Sequence, residues 1–239
     1  MAQKSLFNIP KKSSRGSDNE LLRIRTQRQQ VATTEHVSGD RYRDAVVRAK
    51  SISERILGNV LDKLELVTDI DRLQRFGDYV VENGIVSIDT ETYGLNGIDD
   101  AVAGVCFYTP EEKGIYVPIK HLSHMTRNPI KLNVPTEKVA EEVATWLAED
   151  IKVILHNAKF DMKFLYWGMG IDIGTPYWCT FIGSQLLNEN ERHSLKELHN
   201  KYVVGGEEKR ELAKFNSLFQ GVPFYLIPPD VAYMYGGYD

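Results

Sequence analysis

The chain carries three short motifs whose acidic and phenolic side chains could together hydrolyse a phosphodiester. In order along the sequence they are Asp89-Thr90-Glu91, Asn157-Ala158-Lys159-Phe160-Asp161 and Tyr235-Gly236-Gly237-Tyr238-Asp239. Carboxylate oxygens are the ligands that Mg²⁺ and Mn²⁺ prefer in proteins. Each motif alone is common by chance, and a second Asp-x-Glu, Asp18-Asn19-Glu20, lies in a polar stretch near the start. The ordered set, rather than any one member, predicts a two-metal nuclease.

The first pair of carboxylates lies at the end of a predicted buried strand, residues 85–89. Because side chains alternate along a strand, Asp89 and Glu91 leave the same face while Thr90 turns inward. The carboxyl end of a strand is where open α/β sheets commonly bind ligands. Two carboxylates so close together are costly unless a cation neutralises them, so we predict that both bind metal.

The second and third motifs each place two polar residues one helical turn apart, Asn157 with Asp161 and Tyr235 with Asp239. Apolar neighbours argue against a free surface carboxylate at Asp161, although a helix cap at Asn157 and a capping or solvated role for Asp161 stay open. A phenol beside a metal-bound carboxylate can orient a water for attack at phosphorus, whereas the alternative for Tyr235 is an aromatic helix face. Two adjacent glycines weaken the last helix by roughly 2 kcal/mol relative to alanines. They indicate either a close approach of substrate or a poor helix.

The elements that must position these motifs follow from hydrophobic periodicity. Residues 1–40 are polar and basic without a sustained apolar period and are predicted to be largely disordered, and a linking helix is predicted from Tyr42 to about Leu61. Predicted strands cover residues 64–67, 85–89, 101–108, 114–118 and 152–156. Predicted helices cover about 69–84, 136–147, 158–167 with a stop at Gly168, 181–187, 195–202 and the segment after Pro228, while 204–227 is predicted to be irregular. This order predicts an α/β domain with a mixed sheet flanked by helices.

Composition and charge narrow the class of protein. The 239 residues carry a net charge of −4, but residues 1–50 hold 11 basic against 5 acidic side chains and the remainder 18 against 28. The basic leader could lie against a polyanion such as nucleic acid, or it could simply be solvated. Two cysteines, Cys106 and Cys179, do not make a disulfide framework. No apolar run approaches the roughly 20 residues of a membrane span, and the start lacks a secretory signal, so we expect no membrane partner and a cytoplasmic location.

Taken together, the three motifs resemble those of the DEDD exonuclease superfamily in its tyrosine-bearing, DEDDy form. The likeness is strongest to the 3′–5′ proofreading exonuclease domain of family A, polymerase I-like DNA polymerases from bacteria or bacteriophages. Supporting stretches are Leu64-Glu65-Leu66-Val67-Thr68-Asp69, Tyr116-Val117-Pro118-Ile119-Lys120-His121 and Ser194-Leu195-Lys196-Glu197-Leu198. The resemblance covers about residues 62–239. It therefore divides the chain into a basic N-terminal extension, residues 1–61, and an exonuclease domain, residues 62–239.

This resemblance implies an RNase H-like fold and hydrolysis at single-stranded or frayed DNA 3′ ends with two divalent ions, Mg²⁺ or Mn²⁺. By the same resemblance, Asp89 bridges both ions, Glu91 and Asp239 complete one site, and Asp161 holds the other. Tyr235 positions the nucleophile. The terminal nucleotide is contacted by Thr92, Leu95 and Asn157, with Leu95 wedged against its base.

The sequence departs from the family pattern at three places, one of which is the pair Gly236-Gly237, unusual inside the helix of the third motif. Cys179 stands where many relatives carry an aspartate, and we expect a structural consequence. Asp239 is the last residue, so we expect a polymerase domain in a longer native chain, in the cytoplasm of a bacterium or a phage-infected host. Two alternatives stay open: a stand-alone DEDDy exonuclease for RNA 3′ ends, and a catalytically inactive single-strand-binding module. The three tryptophans, Trp146, Trp167 and Trp178, are predicted to fill the core.

Overall fold

A computed structural model describes residues 39–204 and 217–237, apart from the side chains of residues 52, 53, 55–61 and 204. The first element is helix α1 (Gly39–Leu61), so a helix is confirmed where a linking helix was predicted, while its linking role stays a prediction. Residues 1–38 of the predicted disordered leader lie outside the described residues. Residues 205–216 of the predicted irregular stretch also lie outside them. The described residues belong to one compact unit that begins at Ser38.

A six-stranded mixed sheet forms the centre of this unit. Its strands are β1 (Leu64–Leu66), β2 (Ile85–Thr92), β3 (Val102–Tyr108), β4 (Gly114–Pro118), β5 (Lys152–Leu155) and β6 (Trp178–Cys179). They lie in the order β1-β4-β3-β2-β5-β6. The pairs β2–β3 and β3–β4 are antiparallel, and the other three are parallel. The predicted mixed sheet is therefore confirmed, with the two-residue strand β6 as an addition.

Helices flank the sheet on both faces. They are α2 (Ile70–Asn83), α3 (Thr136–Leu147), α4 (Ala158–Phe164), α5 (Thr180–Leu187), α6 (Leu195–His199) and α7 (Pro229–Gly236), with a short 3₁₀ turn at Phe224–Leu226. Helix α2 shows why the sequence predicted most of these boundaries. The Asp69 carboxylate accepts a hydrogen bond from the Asp71 amide at its start, and Gly84 ends it in the left-handed conformation at φ +63°.

The helix after β5 runs further than predicted. It continues past α4 as a π-helical turn, Leu165–Met169, and ends at Gly170 with φ +74°, so the predicted stop at Gly168 is wrong. Gly168 has a packing reason instead, because a Cβ on it would lie only 3.1 Å from the Val102 Cγ2 atom of β3. A helix tolerates such a glycine at a cost of roughly 1 kcal/mol. Helix α6 likewise continues as a π-helical turn, Asn200–Val204.

The two faces of the sheet carry separate hydrophobic clusters. One lies under α2, α3 and α4, where its largest buried residues include Phe76, Phe107, Trp146 and Phe164. The other lies between the sheet and helices α1 and α7. Its buried members are Ala45, Ala49, Cys106, Tyr116, Phe219, Ile227, Val231 and Ala232. Helix α1 therefore packs on the same side of the sheet as the third motif.

Polar contacts tie α7 and the segment before it to the rest of this face. The buried ring of His121 donates from Nδ1 to the Ile227 carbonyl (2.9 Å) and accepts at Nε2 from the Tyr116 hydroxyl (2.6 Å). Burial lowers the pKa of His121 to about 4, so the ring stays neutral at neutral pH. From α1, the Tyr42 hydroxyl donates to the Leu226 carbonyl at 2.7 Å, and Lys50 pairs with Asp230.

Only one of the three tryptophans fills the core as predicted. Trp146 is buried, whereas the side chains of Trp167 and Trp178 are 61% and 50% exposed. Cys106 and Cys179 are both free thiols. Among the residues that the structure describes, no helix combines the length and the apolar composition that a membrane span requires.

Candidate active site

The first and second motifs meet where β2 extends beyond the end of the neighbouring strand β5. The pairing of β2 with β5 ends at Ser87 and Ile154, while β2 continues to Thr92. In the gap beyond β5, the Thr90 amide and hydroxyl both donate to the Asp161 Oδ1 atom, at 3.0 and 2.7 Å. The carboxylate of Asp161 thus accepts the hydrogen bonds that a neighbouring strand would otherwise accept. Its partner Thr90 stands between Asp89 and Glu91 in the sequence.

Asp161 is buried, with only 2% of the residue exposed. Burial raises the pKa of its carboxyl to about 6, and the hydrogen bonds from Thr90 oppose that shift. Within the described residues no lysine or arginine pairs with it. The solvated alternative for Asp161 is therefore wrong. A buried carboxylate without a cationic side-chain partner fits a metal-binding role, because a divalent cation would offset its desolvation.

Asp89 and Glu91 leave the opposite face of β2 from Thr90, as the strand alternation predicts. Asp89 lies opposite Cys106 and Glu91 opposite Gly104 on the neighbouring strand β3, and both acidic residues are partly exposed. This is the face that carries α1 and α7. The candidate site therefore spans the end of β2, with Asp161 arriving from α4 at its edge and α7 covering its other face.

Helix α7 approaches this strand closely at Gly236. A Cβ on Gly236 would lie 2.9 Å from the Cys106 sulfur and 3.3 Å from the Glu91 Oε1 atom. The glycine is thus required by contact between the helix and the sheet. This contact is a packing reason that the sequence did not indicate, and an approach of substrate to the two glycines stays a prediction. Because of this contact, the third motif lies against the first.

The phenol of Tyr235 has a basic partner that the sequence did not reveal. The Lys196 ammonium donates to the Tyr235 hydroxyl oxygen at 2.6 Å and lies 4.5 Å from the centre of its ring. Lys196 belongs to the short helix α6, whose first residue follows the N-cap Ser194. The two residues are 39 positions apart. Only the folded chain brings them together, so no spacing rule could have found the pair.

The fourth predicted metal ligand, Asp239, lies outside the described residues, since α7 ends at Gly236 and the description at residue 237. Within residues 39–204 and 217–237, no group of three or more His, Cys, Asp or Glu side chains is arranged to hold a metal ion. Of the predicted metal ligands that are described, Glu91 lies against Gly236 of α7. Asp161 is hydrogen-bonded to Thr90 on β2, the strand that also carries Asp89.

The residues predicted to contact the terminal nucleotide lie at the end of β2, on the loop after it and at the start of α4. Leu95 is 87% exposed, and the Thr92 hydroxyl donates to the Gly94 carbonyl at 2.7 Å. Asn157 is exposed, adopts the left-handed conformation at φ +55° and makes no side-chain hydrogen bond to the helix. Asn157 is therefore the N-cap residue of α4 but makes no capping hydrogen bond with its side chain, and its exposed side chain contrasts with the buried Asp161.

Cys179 has a structural contact at the position where an aspartate was expected from the family. Its sulfur accepts a hydrogen bond from the Ala158 amide at 3.5 Å, and the residue also precedes helix α5. Ala158 is the first residue of α4. Cys179 thus satisfies one of the unpaired amides at the start of the helix that carries Asp161.

Comparisons with known proteins bear on the family and the fold of the chain. A family model described as 3′–5′ exonuclease matches residues 60–219, which include the first two motifs and end before the third. The chain is 29% identical over 126 residues to DNA polymerase I of Borreliella burgdorferi, a match that covers 53% of the chain and 13% of that protein. It is 25% identical over 189 residues to the DNA polymerase of Escherichia phage T5, covering 72% of the chain and 21% of that protein. The chain thus spans a small part of the length of these relatives.

The fold is shared with a solved ribonuclease structure. The complex of Trypanosoma brucei RNase D with GMP superposes with a TM-score of 0.54 at 12% sequence identity, covering 78% of this chain and 55% of that one. At such low identity the likeness concerns the fold alone. The predicted RNase H-like fold is confirmed.

Proposed function

Because the chain belongs to the 3′–5′ exonuclease family of family A DNA polymerases, we propose that it removes nucleotides from the 3′ ends of single-stranded or frayed DNA. The observation that carries the proposal is the meeting of all three motifs at one strand segment. Asp161 is hydrogen-bonded to Thr90, and Gly236 of α7 abuts Glu91. A paired end would have to fray first, because a single terminal nucleotide must reach the site at the end of β2.

Asp89, Glu91, Asp161 and Asp239 are the residues that would hold two divalent ions, Mg²⁺ or Mn²⁺. When bound, the ions would supply activation of the attacking water and stabilisation of charge on the leaving oxygen. Burial of Asp161 supports this assignment, since its raised pKa records a carboxylate that lacks compensating positive charge. Asp89 and Glu91, on one face of β2, present their oxygens to the same space as α7.

Tyr235 is proposed to position the attacking water. Its oxygen accepts a hydrogen bond from Lys196, and a phenol that accepts in this way can also donate its proton to a water or a phosphate oxygen. The ammonium also restrains the ring, which lies 5.9 Å from the Phe224 ring on another side. A phenol held at both its oxygen and its ring presents one orientation to the substrate.

Thr92, Leu95 and Asn157 are proposed to bind the terminal nucleotide. The exposed Leu95 side chain offers an apolar surface to a base. The Thr92 hydroxyl proton is engaged by the Gly94 carbonyl, so its oxygen remains free to accept from a 3′-hydroxyl group. These contacts address the backbone and any base face, so we expect little sequence preference.

We further propose that this domain proofreads for a DNA polymerase domain, since the relatives named above are DNA polymerases. The same catalytic residues would also serve an RNA 3′ end, so the sugar preference requires a direct comparison of substrates.

The test uses the purified chain with a 5′-labelled single-stranded DNA oligonucleotide and Mg²⁺ or Mn²⁺, beside a matched RNA oligonucleotide. We expect a ladder that shortens from the 3′ end of the DNA. The Asp89→Ala variant should abolish it, and the matched variant Asp18→Ala, in the other Asp-x-Glu, should leave it unchanged.

Two results would contradict the proposal in different ways. A ladder on RNA alone would assign the chain to RNA 3′ ends. Metal-independent binding of DNA without any ladder would identify an inactive single-strand-binding module.

A further inference from the structure

A groove of about 420 Å³ lies on the outer side of α4 and its π-helical turn, away from the buried Asp161. Met162 and Ile173 line it with apolar surface. Tyr166 and Trp167, which also line it, are 49% and 61% exposed, and their rings meet edge to face with centres 4.9 Å apart. Both aromatic residues belong to the π-helical turn Leu165–Met169.

Two lysines give the groove a positive charge. Lys159 and Lys163 are exposed, and they lie one turn apart on the same side of α4. Within the part of the chain that the structure describes, neither ammonium forms an ion pair. Asp172 is the acidic residue of the lining, and its carboxylate accepts a hydrogen bond from the Gly174 amide at 2.9 Å. The groove thus combines two unneutralised ammonium groups with two exposed aromatic rings.

We propose that this groove binds a stretch of single-stranded DNA a few nucleotides upstream of the 3′ end that the active site holds. The proposal rests on the proposed exonuclease function. Ammonium groups that pair with phosphates beside aromatic faces that stack on bases are the combination by which proteins bind single strands without reading sequence.

The position of the groove supports a path from the active site. Helix α4 begins beside Asn157, and Lys159, Lys163 and Trp167 follow at intervals of one turn along its exposed side. From Asn157 to Trp167 the distance is about 15 Å at 1.5 Å per residue. At the stacked spacing of roughly 3.4 Å, that length corresponds to about four nucleotides.

The loop that carries Leu95 also borders this path. A Cβ on Gly97 would lie 2.7 Å from the Lys163 Cβ atom, so the loop packs directly on α4. Leu95, the residue proposed to contact the terminal base, is therefore two residues from the point at which its loop contacts Lys163. A strand that leaves the active site on this side passes from Leu95 to the lysines.

The test measures binding of labelled single-stranded DNA by fluorescence anisotropy in EDTA, so that no cleavage takes place. A trinucleotide and a dodecanucleotide are compared. We expect the wild-type chain to bind the longer strand more tightly. Trp167→Ala and Lys163→Ala should each weaken that binding about tenfold, with little change for the trinucleotide.

Matched controls are Tyr79→Ala, an exposed aromatic residue on α2, and Lys113→Ala, an exposed lysine in the turn between β3 and β4. Both should bind as the wild type does. Lys163→Glu provides a second surface variant in case Trp167→Ala fails to fold, and it should weaken binding at least as much as Lys163→Ala.

Equal affinity of the groove variants and the wild type for the dodecanucleotide would overturn the proposal and leave the groove to a protein partner. So would a wild type that binds both lengths equally. Because these titrations need no cleavage, their outcome is independent of the exonuclease assay. Length-dependent binding without a ladder would refute the proposed function alone.

Discussion

The buried carboxylate of Asp161 is expected to lower the stability of the metal-free protein and to serve metal binding. Its pKa is raised to about 6 by burial, above the value of about 4 expected in the unfolded chain. A group with a raised folded-state pKa contributes stability that is fully present below about pH 4 and is lost as the pH rises through 6. The metal-free protein should therefore be less stable at neutral pH because of this residue.

Asp161→Asn tests this conflict. Asparagine keeps an oxygen that accepts from Thr90 but carries no charge. Without metal, we expect the variant to match the wild type near pH 4 and to exceed it at pH 8 by up to about 3 kcal/mol, measured by urea denaturation at each pH. Mg²⁺ should narrow the difference by stabilising the wild type, while the variant loses exonuclease activity. A constant difference across this pH range would contradict the assignment.

The contact of Lys196 with the Tyr235 oxygen makes Lys196 a positioning residue. We expect Lys196→Ala to lower kcat about tenfold with little change in KM, because the phenol loses a restraint rather than a substrate contact. Lys196→Arg should restore part of the rate, since guanidinium can donate to the same oxygen. In a Tyr235→Phe background, Lys196→Ala should have no further effect. Additive losses in the double variant would show that Lys196 acts elsewhere.

At the scale of elements, the position of α7 depends on the absence of a side chain at Gly236. Alanine is the better helix former by roughly 1 kcal/mol. Here, however, its methyl group would lie 2.9 Å from the Cys106 sulfur and 3.3 Å from Glu91. We therefore expect Gly236→Ala to displace α7 from β2 and to lower the initial exonuclease rate by about tenfold or more.

Removal of the opposing sulfur provides the decisive control. Cys106→Ala combined with Gly236→Ala should recover much of the rate, because the closest of the crowding atoms is gone. Gly39→Ala, whose new methyl group would lie at an ordinary 3.7 Å from the Met125 sulfur, should leave the rate unchanged. If the double variant is no faster than Gly236→Ala, crowding against β3 is not the cause.

The elements that the sequence predicts well are those governed by local signals. Asp69 and Gly84 bound α2 because a cap and a left-handed glycine act within one turn. Gly168, by contrast, was predicted to end its helix, yet it serves contact with Val102, and the helix continues in a π-helical turn. Whether a glycine ends a helix or admits a neighbour depends on tertiary packing, which periodicity does not contain.

The same division applies to the candidate site. Asp89 and Glu91 followed from strand alternation, and the resemblance to a family supplied Asp161 and Tyr235. Lys196 could not be found, because its partner lies on a helix 39 residues away. The exposure of Trp167 was also missed, since a tryptophan in an apolar helical stretch is predicted by default to be buried.

For the molecule as a whole, α1 is packed against the helix that carries Tyr235. Ala45 and Ala49 are buried in the same cluster as Val231 and Ala232 of α7. The Lys50–Asp230 pair joins the two helices at a partly exposed position, where ion pairs contribute at most about 1 kcal/mol. Packing by the alanines should therefore govern the position of α7. The predicted domain boundary between residues 61 and 62 places α1 outside the exonuclease domain and stays a prediction.

Ala49→Glu tests whether α1 is part of the working exonuclease. Ala49 is fully buried, so a carboxylate there must be desolvated or must push α1 away from α7. We expect the exonuclease rate to fall more than about tenfold while circular dichroism retains the signal of the sheet and remaining helices. Val47→Glu on the same helix, where the side chain is exposed, should leave the rate unchanged. Full activity of Ala49→Glu would mean that α7 holds its place on the sheet without α1, and that the domain does begin after residue 61. A selective loss would instead place the start of the functional unit at α1, because the third motif would then depend on a helix that precedes the family resemblance.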